Sequence, residues 1–439
     1  MAAAHPHSPA RDWHSVCVYF QQDNRKKHIA YISPSRYRKV SGMDNKGLLH
    51  GVKVLDMSRV LAGPYCGMLL ADMGADVLKI EVPGRGDDAR HNAPMVDSES
   101  AYFMNLNRNK RGITLNLKTE EGKEIFRRLV KESDIVIENY RPGVMEKLGL
   151  GYEELRKINP AIVYGCISGF GHYGPYSKRA GYDIIGQAMS GLMSTTGWPD
   201  SPPTRTGTAI ADVYAGLSCC TGILAAYVNR LKTGEGDKVD VALVDSMVSS
   251  LEIINMIYLC TGRIPSQIGN RYEAIYPYDS FRAADGHVII ACGNDKLYNA
   301  LCDLLELPGL RDERFDSNLK RVANNAPLQK IIEAWTVTKN IDDIVETLLA
   351  AGIPAAPINT IDRVVADPHI GGAREMFVES EHPVVGKVRL TNSHIKFSNR
   401  KTAIRHASPI LGQHNEDVLI GQLGYTAEQV AAFREKGVL

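Results

Sequence analysis

The chain has 439 residues, of which 44% are hydrophobic and 23% charged, and its formal net charge is +1. This is an ordinary globular composition, and the length allows two domains with separate cores. The balanced charge gives no reason to expect nucleic acid or a membrane surface as a partner, and no uninterrupted apolar run reaches the roughly 18 residues of a membrane span.

The first 42 residues differ from the rest of the chain. They contain seven Lys or Arg against two Asp, and they show no hydrophobic core pattern. We predict a disordered extension over residues 1–42, with the folded protein beginning near Met43. A cytoplasmic location is expected. The mitochondrial matrix is the alternative if this basic, acid-poor segment is a presequence.

The eight cysteines indicate neither a disulfide framework nor a metal site. They include no CxxC pair and no His/Cys spacing typical of zinc. Most lie in apolar stretches, where small buried thiols are common, and a reducing compartment fits them best. No bound metal is therefore expected.

From Gly51 onward, short apolar strands alternate with helices. The pattern predicts strands over 52–57, 76–82, 113–117, 134–138 and 162–168, and helices over 63–74, 119–131 (with Thr119 as cap) and 144–158. Such alternation is typical of an α/β fold with a mostly parallel, doubly wound sheet. Ligands bind such sheets at the carboxyl ends of the strands, where we expect the loops 58–60, 83–90 and 139–143 to gather. The first strand is not followed by GxGxxG, so a dinucleotide fingerprint is absent.

Asp212 is the only charged residue between Arg205 and Arg230. The residues after it, 213–228, predict an apolar helix of small side chains that packs inside the protein. A carboxylate there is costly to bury unless hydrogen bonds or the helix N-terminus stabilise its charge. A carboxylate kept ionised and dry is suited to nucleophilic attack on an acyl group. The alternative is a simple helix N-cap.

The second half of the chain predicts a smaller α+β domain. A strand over 238–243 and a long helix to about residue 261 precede a polar, Gly- and Pro-containing segment, 262–277. The smaller domain has strands at 278–281 and 287–292, helices from Lys296, Ala326 and Ile341, and a turn-rich exit at 352–357. We place the large domain at 43–245, a linker at 246–277, the small domain at 278–365, and a return to the large domain at 366–439, with a strand over 385–390.

Four segments, in order, match one family. They are Leu61-Ala62-Gly63-Pro64; Asn109-Lys110-Arg111; Glu138-Asn139-Tyr140-Arg141-Pro142-Gly143; and Gly181-Tyr182-Asp183 followed by Gly207-x4-Asp212-x3-Gly216. With this spacing the chain resembles the class III CoA-transferases, which include formyl-CoA and carnitine CoA-transferases. The resemblance runs from about Gly47 to the C-terminus, about nine-tenths of the chain.

The resemblance implies a Rossmann-like large domain and an interlocked homodimer. It also implies that Asp212 attacks a donor acyl-CoA to give a mixed anhydride, which CoA thiolate converts to an aspartyl-CoA thioester. An acceptor carboxylate then forms a new anhydride, and CoA leaves on the new acyl group. Acyl-CoA and a carboxylic acid are thus the expected substrates, with no permanently bound cofactor. Shielding from water suits these hydrolysable intermediates.

Further site residues come from the resemblance, position by position. Leu61 and Ala62 should line the pantetheine channel, and Tyr182 and Asp183 should border the reacting thioester. The expected adenosine and phosphate contacts are Leu115, Lys118, Asn139, Tyr140, Arg141 and Lys147.

Differences between this chain and the family motifs indicate which branches of the family it resembles least. The α-methylacyl-CoA racemases have a histidine where this chain has Tyr182, and a glutamate at the position of Asn294. Neither residue here readily deprotonates an α-carbon near neutral pH, so racemase chemistry is disfavoured. Oxalate-specific relatives have a glutamine at the position of Leu61 and a glycine run at residues 269–273.

The segment Arg179 to Asp183 and the nearby Arg205 resemble branches that use succinyl-CoA and a dicarboxylate. A planar guanidinium pairs well with a carboxylate, so Arg179 or Arg205 is the expected contact for the distal carboxylate. We therefore predict a succinyl-CoA:dicarboxylate CoA-transferase, with glutarate, malate or a methylated C4–C5 acid as acceptor. The competing hypotheses are an α-methylacyl-CoA racemase, an intramolecular CoA-transferase and a catalytically idle CoA-binding protein.

Overall fold

A six-stranded parallel sheet lies at the centre of the protein, in a computed structural model that describes residues 47–439. The extension predicted over 1–42 lies outside the described residues. The strands are β1 (Lys53–Asp56), β2 (Asp76–Glu81), β3 (Met95–Val96), β4 (Glu99–Ser100), β5 (Lys110–Thr114), β6 (Ile135–Glu138), β7 (Val163–Ser168), β8 (Lys238–Ala242), β9 (Tyr278–Ala283), β10 (Gly286–Ala291), β11 (Ala355–Pro357), β12 (Phe377–His382) and β13 (Gly386–Thr391).

The central sheet has the order β5-β2-β1-β6-β7-β8, and every pairing in it is parallel. β6 and β7 are buried along their whole length, as expected for strands covered on both faces. The chain builds outward from β1 in one direction and from β6 in the other. The strand order therefore reverses between β1 and β6, and their carboxyl ends open a crevice there. The predicted α/β class with a mostly parallel sheet is confirmed.

Helices cover both faces of this sheet, and others pack with the smaller sheet described below. The helices of residues 47–439 are α1 (Ala62–Asp72), α2 (Ala101–Asn107), α3 (Glu120–Lys131), α4 (Val144–Lys147), α5 (Tyr152–Ile158), α6 (Asp183–Met189), α7 (Leu192–Thr195), α8 (Ile210–Thr233), α9 (Leu243–Ser250), α10 (Glu252–Thr261), α11 (Asp295–Leu305), α12 (Asn318–Ala323), α13 (Asn325–Thr336), α14 (Ile341–Ala350), α15 (Ile361–Ala366) and α16 (Ala427–Glu435). Single turns of 3-10 helix lie at Asp88–His91 and Glu313–Phe315, and π-helical turns at Pro368–Ala373 and Asp417–Gln422.

Two hydrophobic cores fill the space between the helices and the sheet. On one face α1 and α8 bury side chains such as Leu69 and Ile223. On the other face α3 and the C-terminal segment bury Phe126 and Val418. The main chain of Val438 accepts a hydrogen bond from the Asn116 amide at 2.8 Å, which ties the end of the chain to the edge of this layer. Thr119 caps α3 by accepting from the Gly122 amide, as predicted.

A smaller antiparallel sheet, β11-β10-β9, packs with α11, α13 and α14. Its own core includes Phe281, Ile290, Leu301 and Leu348. β12 and β13 form an isolated antiparallel pair that follows this unit in the chain.

Four predicted elements differ from the structure. The helix predicted over 144–158 is two helices, because the chain turns between them at Gly149, where φ is +69°. The long helix before residue 261 is bent by 75° between α9 and α10. The predicted turn at 352–357 contains β11, which joins the smaller sheet. The third predicted strand, 113–117, corresponds to β5 and begins earlier, at Lys110. Its first residue is a buried lysine, which a search for apolar residues does not identify as part of a strand.

Helix α8 is longer than predicted and is buried on one face only. Ala215, Cys219 and Ile223 are buried, whereas Leu231 on the same helix is 69% exposed. By length and composition α8 could cross a membrane, as could α9 and α10 if that bent pair formed one span. Core helices of soluble proteins meet the same criteria, and a third of the most apolar part of α8 is buried.

Two buried ion pairs lie beneath the carboxyl end of the central sheet. Lys110 Nζ is 2.8 Å from Asp56 Oδ2, and Lys79 Nζ is 2.8 Å from Asp87 Oδ2. All four side chains are fully buried. Burial acts against charge on Asp56, but Lys110 and Lys79 hold the pKa of this carboxyl below its ordinary value. The charges therefore persist in the interior because each has a partner.

Removal of one partner leaves the other charge buried alone. We expect Lys110→Ala to lower the free energy of unfolding by about 3–5 kcal/mol, measured by chemical denaturation. The matched control is Lys157→Ala, because the Lys157–Glu154 pair has a contact of 2.7 Å but lies on the surface. That change should cost at most about 1 kcal/mol. Equal costs for the two variants would contradict this account of the buried pair.

Candidate active site

A cleft opens where the strand order of the central sheet reverses. It encloses about 880 Å³ including its open mouth. The loops after β1, β6 and β7 and the start of α8 form its walls. Eight of the residues predicted from the sequence to act in the site line it: Leu61, Ala62, Asn139, Tyr140, Arg141, Arg179, Tyr182 and Asp212.

Hydrogen bonds between loops fix the wall formed after β1. The Asn139 side chain accepts from the Arg59 amide and donates to the Arg59 carbonyl, both at 2.7 Å. The Val60 amide donates to Asp87 Oδ1 at 3.0 Å. Val60 has φ +65°, a left-handed conformation that is unfavourable for a β-branched residue and needs such support. The predicted gathering of the three loops is therefore confirmed.

A close approach of two helices places Asp212 at this wall. A Cβ atom on Gly216 would lie 2.5 Å from the Ala62 carbonyl oxygen, so only glycine lets α8 approach α1 so closely. Gly216 follows Asp212 by about one helical turn on α8. The glycine at position 216 of the motif is therefore explained by helix packing. The close approach of α8 to α1 in turn determines how far Asp212 extends into the cleft.

The Asp212 carboxylate is half-buried. Among residues 47–439, no donor hydrogen-bonds to it. Burial raises the pKa of Asp212 to about 7, and the nearby charge of Asp183 adds to the shift. The N-cap of α8 is Ala209, and Asp212 lies in the first helical turn. The alternative that Asp212 is a simple N-cap is therefore wrong.

Asp183 lies beneath the cleft rather than on its surface. It is the first residue of α6 and is only 8% exposed. Its Oδ1 accepts from the Ala211 amide at 2.9 Å, and its Oδ2 accepts from Gln187 Nε2 at 2.8 Å. Tyr182, the residue before it, is 73% exposed and lines the cleft.

Three arginines line the cleft. Arg59 is 3.4 Å from Asp88 and stacks over the ring of Tyr140. Arg179 stacks over the ring of Tyr176, with its guanidinium carbon 3.5 Å from the ring centroid. Arg141 is the third. Guanidinium groups at the mouth of a cleft favour ligands with phosphate or carboxylate groups.

Four other predicted site residues lie outside the cleft lining. The Leu115 side chain is buried in the second core, and the side chains of Lys118, Lys147 and Arg205 lie at least partly exposed. Their predicted contacts with CoA or substrate remain predictions. Asn294, which stands at the position of a racemase glutamate, caps α11 by accepting from the Leu297 amide at 3.0 Å.

Two buried residues near the site were not assigned roles from the sequence. Burial raises the pKa of Glu138 to about 8, and its Oε2 accepts from the Tyr140 amide at 2.7 Å. Gln187 is fully buried and contacts Asp183 one helical turn away. The four-residue spacing between Asp183 and Gln187 could have indicated their contact from the sequence, because residues four apart are neighbours on one face of a helix.

One group of side chains in the described part of the chain has the residue types of a metal site. Ligand atoms of Glu138, Cys166 and His172 lie within 4.8 Å of one another. The Lys238 ammonium, however, is 3.1 Å from His172 Nδ1. Ligating histidines usually donate their second N–H to an acceptor, so a cation in that position opposes a bound metal ion. We assign no metal to this group.

Comparisons with known proteins agree with the motifs. The family model described as CoA-transferase family III matches residues 49–415. A succinate–glutarate CoA-transferase of Agrobacterium fabrum is 41% identical over 86% of this chain and 96% of its own length. A succinyl-CoA:mesaconate CoA-transferase of Haloarcula marismortui is 42% identical, covering 85% of this chain and 96% of its own. A CaiB/BaiF family protein from Brucella suis has a similar crystal structure, with a TM-score of 0.75, 42% identity, and coverage of 86% and 99% of the two chains.

The raised pKa of Asp212 predicts a stability cost at neutral pH. The folded chain holds this proton up to about pH 7, whereas the unfolded chain releases it near pH 4. Stability is therefore lost as pH rises through this window. We expect Asp212→Asn to be more stable than wild type at pH 8 by on the order of 2 kcal/mol, allowing for partial exposure.

At pH 4 the difference should nearly vanish, because Asp212 is then largely protonated when folded and the unfolded chain is half protonated. Thermal unfolding at the two pH values measures it. The control Asp343→Asn changes an exposed aspartate in the first turn of α14 and should show no pH-dependent gain. Equal melting temperatures of wild type and Asp212→Asn at pH 8 would contradict the argument.

Proposed function

The chain belongs to CoA-transferase family III, and we propose that it transfers CoA from succinyl-CoA to a small dicarboxylate through a covalent intermediate on Asp212. One observation carries the proposal: the Asp212 carboxylate lines the cleft, and no hydrogen bond from residues 47–439 competes with its attack on a substrate. The proposed donor follows from the names of relatives and from the resemblance around residues 179–183.

The proposed reaction uses the carboxylate once as a nucleophile, passes through three covalent intermediates on it, and returns it unchanged. An Asp212 oxygen attacks the thioester carbonyl of succinyl-CoA, the C–S bond breaks, and CoA thiolate leaves a mixed anhydride. The thiolate attacks the aspartyl carbonyl, which releases succinate and forms an aspartyl-CoA thioester. The acceptor carboxylate displaces the thiolate to form a second anhydride. The thiolate then attacks the acceptor acyl carbon, and Asp212 leaves as the free carboxylate.

The environment of Asp212 supports this chemistry. A pKa of about 7 leaves much of the carboxylate ionised near neutral pH and makes it more basic than an exposed aspartate. Asp212 also lies in the first turn of α8, where the positive end of the helix dipole favours oxyanions formed at the acyl carbon.

The rest of the cleft is proposed as the CoA site. The strand order of the central sheet is that of Rossmann-like nucleotide-binding folds, which bind their ligands at the point where the order reverses. We place pantetheine against Leu61 and Ala62, and the CoA phosphates near Arg59 and Arg141. The adenosine contacts predicted at Leu115 and Lys118 and the phosphate contact predicted at Lys147 would lie beyond the cleft lining; of these residues, Leu115 has a buried side chain.

A homodimer is part of the proposal. Large apolar side chains are exposed along α8, α10 and the segment that follows: Val228, Leu231, Met256, Tyr258, Leu259 and Ile264. Apolar surface of this extent is typical of a buried interface. A second copy of the chain, interlocked as the resemblance implies, would cover it.

Racemase chemistry has little support at these positions. Asn294 is used as the cap of α11, and Tyr182 is exposed, with no hydrogen bond from its hydroxyl to a base within residues 47–439. An isomerase would need a titratable base on each side of the α-carbon.

The first test is an exchange assay read by mass spectrometry. Purified protein is mixed with succinyl-CoA and a panel of mono- and dicarboxylic acids. We expect wild type to form a new acyl-CoA and Asp212→Ala to lose at least about 1,000-fold in rate, because the nucleophile is absent. Asp343→Asn should keep the wild-type rate.

The same assay separates the competing functions. Exchange that survives in Asp212→Ala would remove Asp212 from the mechanism. No exchange with any acid, together with CoA binding unchanged by Asp212→Ala, would indicate an idle binding protein. Incorporation of deuterium at the α-carbon of a 2-methylacyl-CoA in heavy water would indicate an isomerase.

A second prediction concerns the distal carboxylate of the acceptor. Arg179 lines the cleft, whereas Arg205 is exposed outside it. We expect Arg179→Ala to reduce kcat/KM for the dicarboxylate by roughly 10- to 100-fold, the value of a charged hydrogen bond. A monocarboxylate of similar length should lose much less. Arg205→Ala is the matched control; a selective loss in that variant instead would assign the contact to Arg205.

A further inference from the structure

We propose that Asp183 and Gln187 form a clamp that positions Asp212 and keeps its carboxylate free for reaction. This inference rests on the proposed function, since it assigns both residues to the support of that nucleophile. It differs from the expectation that Asp183 borders the thioester. In the clamp, Asp183 and Gln187 are positioning residues that contact the protein and not the substrate.

The start of α8 lacks a cap of its own. Its N-cap residue, Ala209, has no side chain that could accept from the first amides of the helix. Such amides need a partner when they are buried. Asp183, from a different helix, supplies it by accepting from the Ala211 amide at 2.9 Å. The residue directly before Asp212 is thereby held by a side chain from α6.

Gln187 extends the clamp to the segment before α8. Its Nε2 donates to Asp183 at 2.8 Å and lies 3.4 Å from the Thr208 carbonyl. Its Oε1 accepts from the Thr206 amide at 3.0 Å. Gln187 is fully buried, so these contacts are not shared with water. The chain that leads into Asp212 is therefore fixed at residues 206, 208 and 211.

This arrangement removes one nearby donor from Asp212, which accepts no hydrogen bond from residues 47–439. A carboxylate in the first turn of a helix commonly accepts from a free amide nearby, which stabilises its charge and weakens it as a nucleophile. The Ala211 amide is already bound to Asp183. Both oxygens of Asp183 accept hydrogen bonds within the protein, and the residue is only 8% exposed, so a substrate has little access to it.

The clamp also acts through charge. After burial itself, the Asp183 carboxylate raises the pKa of Asp212. Other groups near Asp212 are Tyr102 and the arginines that line the cleft. Burial, together with Asp212 and two other aspartates, raises the pKa of Tyr102 to about 12, so that this hydroxyl stays neutral. Burial thus makes the larger contribution to the basicity of Asp212, and the charge of Asp183 adds to it.

Three variants test the clamp by separating its charge from its geometry. Asp183→Asn removes the charge and keeps an oxygen that can accept from the Ala211 amide, but its Nδ2 would face Gln187 Nε2, so the contact with Gln187 is lost. Gln187→Met keeps the charge and loses the same contact together with those to Thr206 and Thr208, so it controls for that loss. Asp343→Asn is the control. Steady-state CoA exchange is measured from pH 5.5 to 9, and thermal unfolding establishes that each variant is folded.

For Asp183→Asn we expect kcat to fall about tenfold or more, with KM for succinyl-CoA within about twofold of wild type. The acid limb of the kcat profile should move to lower pH by about half a unit or more. Gln187→Met should also lose kcat, but with the acid limb in its wild-type position. The control should match wild type in all three quantities.

Two results would overturn the clamp. One is a folded Asp183→Asn whose kcat and acid limb match wild type. The other is a rise in KM with kcat unchanged, which would make Asp183 a substrate contact, as the resemblance suggested.

A second measurement does not depend on turnover. A carbodiimide reacts with protonated carboxyl groups, so the labelling of Asp212 against pH, read by peptide mass spectrometry, follows its titration. The midpoint should lie lower in Asp183→Asn than in wild type. If wild type exchanges no CoA but this shift appears, the proposed function fails and the clamp stands. If exchange occurs and the midpoint does not move, the clamp fails alone.

Discussion

Four buried charges beneath the reversal of strand order hold the site together. Lys110 and Asp56 connect β5 to β1, while Lys79 and Asp87 connect β2 to the loop that follows it. Charges in an interior cost several kcal/mol each unless partners are fixed around them, so this cluster tolerates few alternative geometries. Asp87 in turn holds the left-handed backbone of Val60 at the cleft wall. The shape of the site thus depends on ion pairs that no substrate touches.

Asp212 shows the opposite use of a buried carboxylate. The aspartates of the ion pairs have lysine partners that favour their charged forms, whereas burial, with the nearby Asp183 carboxylate, raises the pKa of Asp212. The ion pairs make the structure rigid, and the raised pKa makes Asp212 more basic. Active-site residues commonly lower the stability of the folded enzyme, and favourable interactions elsewhere in the structure compensate for this loss. The buried ion pairs supply that rigidity on the adjacent strands.

The parallel sheet and the loops at its carboxyl edge could be predicted because their residues obey local rules of alternation and capping. The start of β5 could not be predicted, because a lysine is expected to be exposed unless its buried partner, here Asp56, is known. The bend between α9 and α10 has no proline or interior glycine to signal it. For Asp183, the motif indicated that the residue matters near Asp212. Its hydrogen bond to the Ala211 amide joins segments 28 residues apart, which no single-sequence pattern encodes.

The acceptor acid is the property that the fold constrains least. Relatives of nearly equal identity to this chain are named for glutarate and for mesaconate, so membership of the family does not by itself select the acid. In the proposed function, selection comes from groups whose position can change while the sheet stays fixed. Arg179 can change position in this way, because it lies at the cleft surface, stacked on Tyr176, outside the buried ion pairs and the Asp183–Gln187 contacts. Movement of a guanidinium by about one or two ångströms there would change the length of diacid that fits and leave the acyl chemistry at Asp212 unaltered.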